Sequence, residues 1–199
     1  MQHNLFVVIL LGTLASLNNP VLAESEEDKF APVRDKLNTC VACHGEKGQS
    51  KIPTNPILAG QEFFYLYTQL KDFKSGLREN AIMEPIASSM KKDEMQLIAE
   101  YFSKQEWPDI DFKAESGDIK TGKQVVNSGQ CVACHLGSFK GNSRVPRLAG
   151  QHPEYMIKTM LDFKNKVRTN SAAKASLFKT FSDEEISAVG NYLSGFEGE

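Results

Sequence analysis

Cysteine is confined to two short stretches of this 199-residue chain: Cys40, Cys43, Cys131 and Cys134 are the full set, and none is left over for a structural disulfide elsewhere. An excess of basic charge is lacking as well. The formal net charge is −2, which supplies nothing to neutralise a phosphate backbone and excludes nucleic acid as an expected partner. Long membrane-spanning runs are missing. The apolar run from Leu5 to Leu17 covers 13 residues, short of the roughly 20 that a spanning helix needs, so any membrane association is expected to be peripheral. Sustained alternation of β-branched residues is also missing, and Gly and Pro fall between helical patterns, which points to an all-α fold. Finally, Met1 to Ala23 contains no Lys, Arg, Asp or Glu and closes on Val21-Leu22-Ala23. An apolar segment with a small-residue exit reads as a cleaved secretory signal peptide over residues 1–23, although the usual basic start is absent. Export places the mature protein in the periplasm.

What is present is a pentapeptide written twice. Cys40-Val41-Ala42-Cys43-His44 returns unchanged as Cys131-Val132-Ala133-Cys134-His135. Two thiols three positions apart on one helical turn can reach the two vinyl groups of a porphyrin, and the histidine that follows can bind the iron. The pattern therefore implies two covalently bound heme c groups. Two other uses of Cys-x-x-Cys fit less well. Zinc ribbons place their pairs roughly 15 to 20 residues apart, whereas these pairs are 91 apart. A thioredoxin-like redox pair wants a βαβ pattern around it, and none is visible.

The repeat extends beyond the pentapeptides. Pro56-Ile57-Leu58-Ala59-Gly60-Gln61 returns as Pro146-Arg147-Leu148-Ala149-Gly150-Gln151; Tyr65, Asp72, Phe73, Lys74 and Arg78 return as Tyr155, Asp162, Phe163, Lys164 and Arg168; Tyr101 returns as Tyr192. Such self-similarity marks a duplicated unit. The chain divides into a signal segment over 1–23, a first unit over 24–106, a linker over 107–117 and a second unit over 118–199. Helices are expected near Phe30 to Thr39, Glu62 to Leu77 and Asp93 to Lys104, then near Asp118 to Ser128, Pro153 to Val167 and Asp183 to Ser194. Ser182 with Glu185 makes a capping box that fixes the start of the last one. Units this small have little core of their own, and a buried porphyrin would supply apolar surface that the side chains do not.

The two Cys-x-x-Cys-His motifs, the Pro-x-Leu-Ala-Gly-Gln after each and the tyrosine-bearing final helices together resemble the diheme class I cytochromes of the cytochrome c4 type, over nearly all of the mature chain. The diheme subunit of flavocytochrome c sulfide dehydrogenases is a near relative. The resemblance implies an all-α pair of tandem cytochrome c folds, each around one heme. It implies an electron carrier working between a membrane complex, such as a cytochrome bc1-type complex or a membrane-bound oxidase, and an oxidase or reductase. By the same resemblance Cys40, Cys43, Cys131 and Cys134 form the thioether links, His44 and His135 are the proximal ligands, and the carbonyls of Pro56 and Pro146 accept the other imidazole proton. Met83, 39 residues after His44, sits where the family has its distal methionine.

The second copy departs from the pattern. Lys174 stands 39 residues after His135, and no methionine occurs from Arg168 to Phe181. Three readings of the sixth position follow: Lys174 ligates as a neutral amine; the position is open or water-bound; or Met156 or Met160, read otherwise as core residues, swings in. His152 is expected at a helix start or on the surface rather than on iron. Charge is uneven too. Residues 24–110 carry 11 basic and 15 acidic side chains, residues 111–199 carry 12 and 10. Lys158, Lys164, Lys166, Arg168, Lys174 and Lys179 could form a docking face for an acidic partner. An alternative to the carrier is a redox enzyme or its subunit, acting on sulfur compounds or peroxide, or a gas sensor with an open second heme. That needs acid-base groups which the 168–181 loop does not offer beyond its lysines.

Overall fold

The computed structural model describes residues 29–196, so the signal segment lies outside the described residues. In the first half a short 3-10 turn, Ala31–Val33, leads into α1, Arg34–His44, followed by α2, Phe63–Lys74, α3, Met83–Ser88, and α4, Lys92–Ser103. The second half holds α5, Ser116–Ser128, α6, Val132–His135, α7, Pro153–Lys164, α8, Ala172–Phe178, and α9, Asp183–Ser194. Among the described residues there is no strand, only an isolated bridge between Asn142 and Val145.

The expected helices are found, with two that the pattern had concealed. α3 and α8 occupy what reads as loop, because each is barely two turns long and too short to show periodicity. α2 and α7 stop at Lys74 and Lys164, three residues before their expected ends. Left-handed residues just beyond, Gly76 at φ 74° and Lys166 at φ 59°, turn the chain so that the N–H groups of Arg78 and Val167 reach back to the carbonyls of Asp72 and Asp162, a C-terminal cap in place of another helical turn. α9 starts at its capping box: Ser182 N–H donates to Glu185 at 2.8 Å and Glu185 N–H to Ser182 Oγ at 3.1 Å.

Each half buries its own core. Phe30, Val33, Leu37, Leu66, Met95, Ile98 and Phe102 gather in the first. Val125, Val126, Met156, Met160, Ile186, Val189 and Leu193 gather in the second. α5 and α9 cross closely at Gly122, where a Cβ would fall 2.4 Å from the Cβ of Tyr192. Any larger residue would push these helices apart.

The halves are joined by a two-fold set of contacts. Gln61 Nε2 donates to Arg147 O at 3.0 Å while Arg147 N–H donates to Gln61 Oε1 at 2.8 Å. Gln151 does the same to Ile57, at 3.1 and 2.9 Å. Both glutamines are buried. No helix lies between Ser103 and Ser116, and this connection is pinned where Trp107 meets Gly150 and carries the Arg147 guanidinium over its ring at 4.3 Å.

Candidate functional site

Both pentapeptides sit on helical turns, but the turns differ. Cys40, Cys43 and His44 finish the continuous helix α1. In the second half α5 ends at Ser128, Gln130 turns left-handed at φ 50°, and Val132 to His135 form a separate turn. The four cysteines form no disulfide. Burial pushes the Cys40 thiol up to about 11 and raises that of Cys131, opposite to what a thiol–disulfide redox pair needs. Among the described residues no three His, Cys, Asp or Glu side chains gather to hold a metal ion.

The segment after each motif is held by backbone bonds that repeat. Leu58 N–H and Ala59 N–H donate to Gly48 O, and Gly60 N–H donates to Phe102 O. In the second half Leu148 and Ala149 bond Phe139 O, and Gly150 bonds Leu193 O. This fixes the two proline carbonyls. His44 Nδ1–H donates to Pro56 O at 2.9 Å, and His135 Nδ1–H donates to Pro146 O at 2.9 Å. Burial lowers the pKa of both imidazoles, to about 4 for His135. Both are neutral at pH 7, with the lone pair on Nε2.

One continuous cavity of about 340 Å³ crosses the seam between the halves, and its wall includes Cys40, Cys43, His44, Met83, His135 and Lys174. Met83 is the first residue of α3 and Lys174 the third of α8, but both make the same local hydrogen bond. Met83 N–H donates to Asn80 Oδ1 at 2.9 Å, three residues earlier, and Lys174 N–H to Ser171 Oγ at 3.4 Å, also three residues earlier. Burial first, then the Arg168 guanidinium, draws the Lys174 amine down to about 8. Its Nζ lies 5.3 Å from the centre of the Phe163 ring.

At the seam the cavity is cationic. Arg78 donates to Gln69 Oε1 at 2.9 Å and to the Tyr155 hydroxyl at 3.1 Å. Arg168, 5 % exposed, donates to the same Gln69 oxygen at 2.6 Å and to Asn170 at 3.0 Å. Burial would raise the Tyr155 hydroxyl, but the two guanidiniums outweigh it and pull it down. Arg168 Nη1 is buried with no hydrogen-bond partner, a cost that an intact structure normally offsets with an acceptor. Cys131 and Cys134 are not on the cavity wall, but a largely apolar cavity lined by the Cys40–Cys43 thiol pair, two neutral histidines and a buried guanidinium awaiting an acceptor fits a porphyrin and its carboxylates.

The Cytochrome c family matches the chain twice, over residues 36–109 and 119–196. Cytochrome c4 of Azotobacter vinelandii is 32% identical over 208 residues, covering 94% of this chain and 97% of that protein. The chain belongs to the cytochrome c family, among its diheme cytochromes c4. The crystal structure of reduced recombinant cytochrome c4 from Pseudomonas stutzeri superposes with a TM-score of 0.74 at 29% identity, covering 88% of this chain and 98% of that one. The thiosulfate dehydrogenase electron acceptor of Stutzerimonas stutzeri is 30% identical, over 78% of this chain and 77% of that protein. The fold is therefore a tandem of cytochrome c domains, the cofactors are two heme c groups, and the protein is an electron carrier.

His152 is at the start of α7, one of the two places expected for it, and is buried there rather than on the surface: its Nε2 bonds Ser50 O at 2.8 Å across the seam, away from the cavity wall. The run of basic residues does not form one free face. Lys158 pairs with Asp162 at 2.5 Å, Lys164 with Asp183 at 2.6 Å, and Arg168 is buried. Met156 and Met160 are buried in the second core, and both also line the cavity. The seam cluster of Gln69, Arg78, Tyr155 and Arg168 escaped sequence reasoning. Its only signal was that Tyr65, Arg78, Tyr155 and Arg168 recur in both halves.

Proposed function

We propose that the protein is a periplasmic diheme carrier whose two irons are ligated differently, by His44 and Met83 in the first half and by His135 and Lys174 in the second. Cys40, Cys43, Cys131 and Cys134 hold the porphyrins, and each heme iron supplies reversible one-electron chemistry. The observation that carries the reading is what Met83 and Lys174 share: the same distance from the histidine, an N–H bonded to a side chain three residues earlier, and the same cavity wall. A lysine must be neutral to ligate. From its ordinary value near 10.4 that costs about 4.6 kcal/mol at pH 7, but from about 8 the remaining unit costs about 1.4 kcal/mol.

Thioether ligation by Met83 favours the ferrous state, and an amine favours the ferric. The first half then receives electrons and the second gives them up more readily, which makes the chain a directional relay between a membrane complex and an oxidase or reductase. Electron resonance and optical spectra of the ferric Lys174→Ala and Lys174→Met proteins test the assignment. Lys174→Met should make the two hemes alike, whereas a second-heme spectrum unchanged in Lys174→Ala would sink lysine ligation.

A second reading concerns the donor. The likeness to a thiosulfate dehydrogenase electron acceptor favours a sulfur-oxidising enzyme as the source of electrons, with this chain as its acceptor. Carbon monoxide titration of the reduced protein separates both readings from gas sensing or catalysis at the second heme: a carrier with both irons six-coordinate binds none.

A further inference from the structure

The peptide unit joining Pro56 to Ile57 takes part in two hydrogen bonds from different halves of the molecule. Its carbonyl accepts the His44 Nδ1–H at 2.9 Å, and its N–H donates to Gln151 Oε1 at 2.9 Å. The unit joining Pro146 to Arg147 repeats this with the halves exchanged. Its carbonyl accepts the His135 Nδ1–H at 2.9 Å, and its N–H donates to Gln61 Oε1 at 2.8 Å. Gln61 and Gln151 are 4% and 3% exposed, so water does not compete for these oxygens.

An amide is one conjugated group. An acceptor that draws on its N–H proton moves electron density onto its carbonyl oxygen, and successive bonds strengthen one another by about 10–30% each. A carbonyl that accepts more strongly from a ligating histidine raises the basicity of the nitrogen facing the metal. We propose that Gln61 and Gln151 are crossed positioning residues: each sets, through a single backbone amide, the donor strength of the histidine in the opposite half, so that the redox level of each site is governed partly by the other domain. This rests on His44 and His135 being the iron ligands. The stronger donor favours the ferric state, so loss of a glutamine oxygen favours the ferrous state of the opposite site.

The test is a redox titration of the full-length holoprotein, with the two sites followed separately through their shifted heme-methyl proton resonances. Gln151→Met fills the same space without an acceptor. It should raise the reduction equilibrium constant of the first site about two- to fourfold and change the second by less, and Gln61→Met should do the reverse. Gln151→Glu keeps an oxygen facing the Ile57 N–H and should leave the first site at or below the parent value. Equal shifts at both sites mean that the interface has merely loosened, and they overturn the proposal. So do a larger shift in the glutamine's own half, no shift at all, or a rise in Gln151→Glu. Failure of the ligand assignment shows elsewhere, as a ferric spectrum unchanged by His44→Ala or His135→Ala.

Discussion

The two halves share a motif letter for letter, yet they hold it in different ways. In the first, the residue after His44 is Gly45, at φ 77° and ψ 165°, a conformation open almost solely to glycine. In the second, the residue after His135 is Leu136, held at φ 65° and ψ 167° with 43% of its surface exposed. Three residues further on, Gly48 makes room for the Phe102 ring, which would lie 2.7 Å from an added Cβ. Its counterpart Phe139 takes up a left-handed conformation at φ 51° and packs its own ring against Tyr192 and Phe196. The first half thus turns its chain on glycines, and the second forces large residues through the same turns. Identical chemistry does not need identical backbone energetics, provided that the surrounding packing holds the strained form.

Removing the cofactor should have the largest effect and should erase the comparison. Each half is small and a buried porphyrin supplies apolar surface that its side chains do not, so chain produced without heme attachment should lose most of its helical circular dichroism. An apo protein of full helicity would contradict this. Phe102→Ala comes next. Truncating a ring 1% exposed should cost about 3–5 kcal/mol and make the first half melt ahead of the second, seen as a change in the first heme's spectrum before the second's. The turns should then respond with opposite signs. Gly45→Leu should destabilise by about 1–3 kcal/mol, because its Cβ would meet Gln49 O at 2.6 Å. Leu136→Gly should stabilise by about 1 kcal/mol in denaturant melts, as strain relief exceeds the entropy that glycine loses on folding.

The smallest effect is in pH. With Lys174 at about 8 in the folded chain and near 10.4 when unfolded, the folded state carries fewer protons between those values. Stability should therefore rise with pH across that window and be flat just below it. An iron–amine bond moves the lower edge of the window below 8, and Lys174→Met abolishes the slope, so urea titrations at stepped pH distinguish a coordinated lysine from one that is only buried.

Much of the site could be read from the chain because its signals are local. Cys40, Cys43 and His44 lie on one turn, Met83 and Lys174 sit at fixed offsets, and the Ser182–Glu185 box spans three residues. What could not be read has partners far away. Gln61 meets Arg147 across 86 positions and Gln151 meets Ile57 across 94, and no periodicity reports a contact of that separation. His152 stands at a helix start as expected, but its cross-seam bond could not be read for the same reason: its partner, Ser50, lies 102 residues earlier. The lysine run was deceptive because residues close in sequence find acids at different points on the surface. The strain at Leu136 is invisible in a sequence, since leucine gives no hint of a conformation that it seldom adopts.

The reciprocal grip of Gln61 and Gln151 has one more consequence. A contact in which the same residue from each side holds the same target is what two identical subunits make around a two-fold axis. Here both copies lie on one chain, joined through the segment that Trp107 anchors. Fusion turns an association that would depend on protein concentration into one with a fixed effective concentration. Dilution therefore cannot separate the pair. With the partner guaranteed, the two sites can differ, as proposed for Met83 and Lys174, without weakening the pairing.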